Sequence, residues 1–175
     1  MRRDIAPLPG YPDPYGLLLA TLQDGTYDWR NELWHDCDAD VMTWQVRPGG
    51  RSIGAQILHM IIVEIDWLES FVLKREISEE DRKLLMWDEM DVDAGKWPVP
   101  PAEPIAWYYD LQDRFRTRTL ETVKDFPPPD TILHGRVDSF TPPWVLGHVI
   151  QHESYHGGQV VMLHDLRESR FHALD

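Results

Sequence analysis

Two histidines are spaced so that they can bind one metal ion. His152 and His156 lie four residues apart in a segment with helical periodicity. Side chains four residues apart project from the same helix face about one turn apart, which lets two imidazoles converge on one ion. They belong to a predicted core-facing stripe with alternating steps of four and three residues: Val145, Val149, His152, His156, Gln159, Leu163 and Leu166. Because buried imidazoles and amides need partners, the stripe predicts a polar site inside the fold.

A third ligand must come from a facing helix, and His59 is the best placed candidate. Its neighbours Ile57, Leu58 and Ile62 predict a buried position. Such a histidine, seen alone, is more often a hydrogen-bonded core residue, but the pair elsewhere in the chain favours a ligand. Three neutral imidazoles with an open position suit zinc, nickel or iron(II). A water bound there has a lowered pKa and a thiol binds as thiolate, so the site can support hydrolysis or thiol transfer.

Further polar residues near these histidines have two interpretations each. Asp66 lies on nearly the same helix face as His59, and it is either a hydrogen-bond acceptor beside the metal or a solvated carboxylate. Gln159 either orients a ligand or substrate or makes a structural hydrogen bond. His148, one turn before His152, is a competing metal ligand. We expect the other histidines, His35, His134, His164 and His172, to be ordinary surface residues.

Residues 152–156 also match the H-E-x-x-H pattern of zinc peptidases, with Glu153 as the general base. The extended metzincin form fails, because Gln159 and Met162 stand where glycine and histidine belong. Glu168 is the acid at a suitable distance downstream to complete such a site. The sequence contains no strand on which to hold a peptide, so the peptidase is the least favoured hypothesis.

Four helices must position these residues, and clusters of proline and glycine separate them. We predict a first helix from an Asp13 cap through Leu17 to Leu33, a second from a Ser52 cap to about Lys74, a third opened by Pro104 and ended at residues 127–129, and a fourth capped by Thr141. The long crossover, residues 75–101, is predicted to pack on the bundle through Trp87 and Trp97, with small extra turns near residues 78–86. Without strand alternation, an all-α four-helix bundle forming one domain over residues 1–175 is expected.

Composition excludes several classes of function. The formal net charge is −13, from 30 acidic and 17 basic residues, and this balance argues against nucleic-acid binding. No apolar run approaches the roughly 18 to 20 residues of a membrane helix, and no signal-peptide core follows the N-terminal arginines. We therefore expect a cytoplasmic protein. The substrate expected for a metal-dependent enzyme of this kind is a small molecule. The single cysteine, Cys37, cannot form an internal disulfide and is predicted to be an inert thiol.

Two segments together resemble a known family. The run GRSIGAQILHMIIVE around His59 and the run FTPPWVLGHVIQHESYHGGQVVML around the fourth helix are similar to the DinB-like, or YfiT-type, superfamily. The resemblance implies up-down-down-up connectivity, a metal, usually zinc or nickel, on His59, His152 and His156, and frequent homodimers. Known activities of the superfamily include transferases and isomerases that use low-molecular-weight thiols such as bacillithiol or mycothiol, and many members are described as metal-dependent hydrolases.

One motif departs from the family pattern. The frequent form of the last motif is H-R-G-Q, whereas this chain has His156-Gly157-Gly158-Gln159. The missing arginine weakens an inference of an anionic substrate. Each glycine inside a helix costs about 1 kcal/mol relative to alanine, so the pair predicts a close helix approach or a local kink.

Two hypotheses about function follow. The first is a metal-dependent enzyme, either a thiol-dependent transferase or a hydrolase, with the low-molecular-weight thiol as a co-substrate. The second is a non-catalytic bundle in which the metal, or mutual hydrogen bonds, stabilise a dimer, with a side chain such as Asp66 as the fourth ligand. Glu153, Gln159 and Asp66 are the candidates for a catalytic role.

Overall fold

The computed structural model describes residues 4–33 and 37–172, with side chains through residue 169. Within these residues it has six α-helices: α1 (Tyr15–Glu32), α2 (Ala39–Thr43), α3 (Ile53–Ile65), α4 (Glu79–Leu84), α5 (Ile105–Val123) and α6 (Pro142–His172). A π-helical segment, Asp66–Val72, continues α3, and a short 3-10 turn covers Trp87–Glu89. Two strands of two residues each, β1 (Leu133–His134) and β2 (Ser139–Phe140), pair antiparallel, with Leu133 opposite Phe140. The predicted all-α class is confirmed, and the up-down-down-up connectivity stays a prediction.

Two of the three predicted helix caps are confirmed, and one is wrong. Ser52 accepts a hydrogen bond from the Ala55 N–H at 3.3 Å, and Thr141 accepts one from the Trp144 N–H at 3.4 Å, as predicted. The predicted Asp13 cap is wrong. Helix α1 begins at Tyr15 without a side-chain cap, because the Tyr15 N–H donates to the Pro12 carbonyl at 2.8 Å instead.

The second predicted helix ends two residues earlier than expected and changes its geometry on the way. Regular α-helix ends at Ile65, and π-helical hydrogen bonding continues to Val72. A π-helix places more residues in each turn and is often found near functional sites. Its buried side chains, Leu68, Glu69 and Val72, face the interior.

The crossover is folded onto the helices as predicted. Helix α4 provides the extra turn expected near residues 78–86, and Trp97 is only 4% exposed. Helix α2 was not predicted from the sequence. It starts because the Asp38 carboxylate accepts hydrogen bonds from the N–H groups of Asp40 and Val41, both at 3.1 Å. Cys37 is buried beside this helix start.

Helix α6 packs against both α1 and α3, and it contributes to two separate apolar clusters. Val145 and Val149 lie in the cluster at its N-terminal end, and Val160 and Leu163 lie in the other. The polar stretch of α6, residues 152–159, lies between them. Leu166 was predicted to face the core, but it is 44% exposed, so the buried stripe of α6 ends at Leu163, which is 5% exposed. Among the described residues, no helix combines the length and apolar character needed to cross a lipid bilayer.

Candidate metal centre

The structure brings together the three histidines predicted from the sequence. His59 on α3 faces His152 and His156 on α6, and one ring nitrogen from each lies within 4.8 Å of the others. The Nε2 atoms of His59 and His152 are 3.2 Å apart. Two nitrogens bound to one tetrahedral zinc at about 2.1 Å would lie about 3.4 Å apart. The donor atoms are therefore spaced as ligands of a single ion.

The environment keeps these imidazoles neutral. Burial, followed by the neighbouring histidines, lowers the pKa of His59 from 6.5 to about 4 and that of His152 to about 2. The pKa of His156 is also lowered, again mainly by burial. Metal binding requires the unprotonated ring, so all three are in the ligand form at neutral pH without any proton having to leave.

Two glutamines contact the outer nitrogen of His156. Its Nδ1 lies 2.8 Å from Gln159 Oε1, and the side-chain amide of Gln56 contacts the same nitrogen. Because a carbonyl oxygen can only accept, Nδ1 carries the proton and the Nε2 lone pair is left for a metal. Gln56 is fully buried, and its Oε1 has no hydrogen-bond partner among the described residues. A half-turn of this amide places a second acceptor on the same N–H.

A cation and an indole complete the surroundings. Arg51 Nη1 donates to Gln159 Oε1 at 2.9 Å, and its guanidinium carbon lies 5.1 Å from the centre of the Trp97 ring. Trp97 in turn meets the His59 ring edge to face, with ring centres 5.3 Å apart. The crossover therefore covers one side of His59.

A cavity of about 430 Å³ opens beside His59, between the α3 and π-helical segment and the crossover. It has both apolar and acidic walls: His59, Ile62, Asp66, Trp87, Met90, Asp91, Val92 and Asp93. Asp66 lies in this wall, where partial desolvation raises the pKa of its carboxyl above the usual 3.8. The structure does not group Asp66 with the histidines as a ligand. A larger cavity of about 600 Å³, between α1 and α5, contains none of the three histidines in its wall.

Glu153 points to a different part of the interior. Its carboxylate accepts hydrogen bonds from Thr26 and Trp29 on α1, both at 2.8 Å, and from Gln112 on α5 at 3.0 Å. Arg116 on α5 adds an ion pair at 3.6 Å. The residue that the H-E-x-x-H pattern proposed as a general base is thus already held by four partners on α1 and α5.

Arg116 joins this carboxylate to another one that the sequence analysis missed. Its Nε and Nη2 atoms each donate to Glu64 at 2.9 Å, and its Nη1 donates to Thr26 at 3.0 Å. All three are buried. The sequence could have predicted this ion pair from Glu64, a carboxylate inside the apolar run of α3, because a buried charge requires a partner.

The competing ligand His148 lies outside the group. Its ring stacks parallel on Trp144 with centres 5.3 Å apart and meets Trp67 edge to face at 4.8 Å. Its centre is 6.3 Å from that of His152, whereas the His152 and His156 centres are 4.2 Å apart. His134 contacts Ser139 and His164 lies by Asp165, whereas His35 and the His172 side chain lie outside the described residues.

The glycine pair has a physical explanation. A Cβ atom on Gly157 would lie 2.4 Å from Cδ1 of Trp29, whereas one on Gly158 would meet no atom of the described residues within 4 Å. The indole of α1 therefore occupies the space that any side chain at position 157 needs. This is the close helix approach that the sequence predicted, and it explains why the arginine of the frequent family motif has no room here.

One comparison with known proteins finds a match. The family model of the DinB superfamily matches residues 18–160, a span that contains all three histidines. No curated protein and no solved structure matches the chain.

Proposed function

This chain belongs to the DinB superfamily, and we propose that it is a metal-dependent enzyme acting on a small molecule, with His59, His152 and His156 as the ligands of one divalent ion. The observation that carries the proposal is the convergence of three neutral imidazoles. Their pKa values are lowered, and their donor atoms lie within 4.8 Å of one another. Zinc or nickel suits this nitrogen donor set, with iron as the third choice.

The protein supports the donor set beyond the histidines. Gln159, and Gln56 after an amide half-turn, hold the proton of His156 on Nδ1, so that Nε2 faces the centre. The orphaned Gln56 oxygen also fits a site in which His156 is a fixed N–H donor. A divalent ion bound there supplies a Lewis acid that lowers the pKa of a water or thiol.

The cavity beside His59 is the proposed substrate site. Its volume of about 430 Å³ suits a small molecule, and Trp87, Met90 and Val92 offer apolar contact. Asp66 in its wall is the proposed proton acceptor for the substrate or co-substrate. Burial raises the pKa of its carboxyl above the usual 3.8, so it holds a proton more readily than an exposed aspartate. A hydrolase and a transferase that uses a low-molecular-weight thiol both fit this arrangement.

The alternatives have less support. The peptidase requires a free Glu153, but four side chains already hold its carboxylate. A closed, non-catalytic site requires a fourth protein ligand, and the described residues supply three in the group. The homodimer and the cytoplasmic location remain predictions, the first of which light scattering of purified protein would test.

The test is metal content. We expect near-stoichiometric zinc, nickel or iron in the parent after reconstitution and desalting, and none in the His152→Ala, His156→Ala double variant. His148→Ala is the matched control, since it removes an imidazole from the same face of α6 outside the group. Equal, negligible metal in the parent and the double variant would refute the proposal. If the parent holds metal, screening for thiol transfer and hydrolysis follows.

A further inference from the structure

Arg51 is fixed at the start of α3 and reaches across to α6. It precedes Ser52, whose hydroxyl caps the helix, so its backbone position is set by that cap. Its side chain is half-buried, with Nη1 on Gln159 and the guanidinium over the Trp97 ring. Stacking on an indole and a hydrogen bond at one end hold the guanidinium plane in one orientation.

This arginine differs from the other buried or half-buried arginines because it has no counterion among the described residues. The five of these whose side chains the structure describes each form an ion pair with at least one carboxylate: Arg30, Arg82, Arg116, Arg118 and Arg167. Arg51 forms none with any described residue, and its Nε and Nη2 atoms donate no hydrogen bond to the described protein. Within the part of the chain whose side chains are described, the other arginines without an ion pair are exposed: Arg47, Arg114 and Arg136. The chain has a net charge of −13, and among its described residues a half-buried arginine without a carboxylate partner is the exception.

Its surroundings place this charge beside the candidate metal centre. The Gln159 oxygen that accepts from Arg51 also contacts His156, and the indole under Arg51 also contacts His59. The positive charge of Arg51 adds to burial in lowering the pKa of both histidines. Asp66, Asp91 and Asp93 line the cavity next to His59 and give that wall the opposite charge.

We propose that Arg51 binds an oxyanion group of the substrate, a carboxylate or a phosphate, and so orients the substrate's reacting atom towards His59, His152 and His156. The inference rests on the proposed function and names the substrate class. A guanidinium offers a planar pair of donors that matches the two oxygens of a carboxylate or phosphate. The acidic wall of the cavity disfavours an anion there, so the anionic end of the molecule is expected at Arg51 and its remainder in the cavity.

The test is equilibrium binding of two probes, acetate and inorganic phosphate, by calorimetry. Parent, Arg51→Gln, Arg51→Lys and Arg47→Gln proteins are compared, each in metal-loaded and metal-free form, with metal content measured alongside. We expect Arg51→Gln to weaken binding of the preferred probe about tenfold or more, since the lost hydrogen bonds are charge-assisted. Arg51→Lys should lie between, and Arg47→Gln, an exposed arginine in the same loop, should match the parent. The probe that the parent binds more tightly shows whether the oxyanion group of the substrate is a carboxylate or a phosphate.

Several outcomes overturn the inference. Binding of both probes within about twofold of the parent in Arg51→Gln contradicts it. If Arg51→Gln loses its metal, the comparison is made between the metal-free parent and the metal-free variant. Equal anion affinity of these two proteins contradicts the inference as well. The two proposals fail separately: a parent that binds metal but shows no Arg51-dependent anion binding refutes only the oxyanion site. A parent without metal that still binds anions through Arg51 refutes only the metalloenzyme.

Discussion

Helix α6 places two adjacent residues, His152 and Glu153, in two different polar regions. In one the protein satisfies the polar group, and in the other the donor atoms converge on a common point. Glu153 lies between α1 and α5, where protein donors from three side chains and the Arg116 ion pair satisfy its carboxylate. His152 faces α3, where its ring meets the other two histidines. A buried polar group with all of its partners in the protein stabilises one structure, whereas lone pairs that converge on a common point require a partner from outside.

The comparison therefore separates structure from function within a single helix. The H-E-x-x-H pattern treats the histidines and the glutamate as one chemical unit. Their directions differ by one residue of helical rotation, about 100°, which is enough to send them to different neighbours. Each of the following changes tests one side of this division.

The largest effect is expected from Arg116→Met. The change leaves the Glu64 and Glu153 carboxylates buried without their cation, and breaking a buried ion pair in this way costs about 3–5 kcal/mol. Urea unfolding of the metal-free protein measures it. Arg75→Met, which breaks an exposed pair with Asp125, is the control and should cost less than about 1 kcal/mol. Equal losses in the two variants would show that the Glu153 region is not a structural network.

Lowering the pH should destabilise the metal-free protein, because its buried histidines must then take up protons. Because the pKa of His59 is lowered to about 4 and that of His152 to about 2, the unfolded chain binds more protons than the folded one below pH 6.5. The neutral histidines therefore make their full contribution to the stability of the metal-free protein above pH 6.5. This contribution falls as the pH drops towards 4, by about 3 kcal/mol for His59 alone. Urea midpoints from pH 4 to 8 measure the slope, and His59→Gln should flatten it. An unchanged slope in that variant would contradict the assignment.

Removing the acceptor behind a ligand should weaken metal binding without removing the site. Gln159→Leu leaves His156 Nδ1 without its 2.8 Å partner. Loss of such an outer contact lowers metal affinity about ten- to a hundredfold. Competition with a chromogenic chelator gives the affinity. Gln151→Leu, an exposed glutamine on the same helix, is the control. Parent-like affinity for Gln159→Leu would mean that the glutamine does not orient the ligand.

The smallest effects concern the glycines next to the histidines. Gly157→Ala brings a Cβ against Trp29 and should cost about 1–3 kcal/mol, because an indole that donates to Glu153 has little freedom to move. Gly158→Ala has open space and should stabilise by about 0.5–1 kcal/mol through helix propensity. Thermal unfolding measures both. A loss of stability for both variants would point to the helix backbone and not to the Trp29 contact.

Much of the architecture was predictable because it depends on local spacing. The caps at Ser52 and Thr141, the extent of α5 and the packing of Trp97 follow from signals within a few residues. The sequence also predicted the grouping of His59 with the histidine pair on α6. The start of α1 differed, since a turn through the Pro12 carbonyl replaced the side-chain cap. The π-helical segment had no sequence signal that we can identify.

By itself, the sequence determined which residues share a helix face and hence that His152 and His156 can act together. Only the tertiary structure decided which neighbour each face meets. It directed Glu153 to Arg116, placed His148 between two tryptophans, and brought Arg51 beside the centre. The physical reason is that helical periodicity is set by bonds four residues apart, whereas contacts between faces depend on packing of side chains distant in the chain.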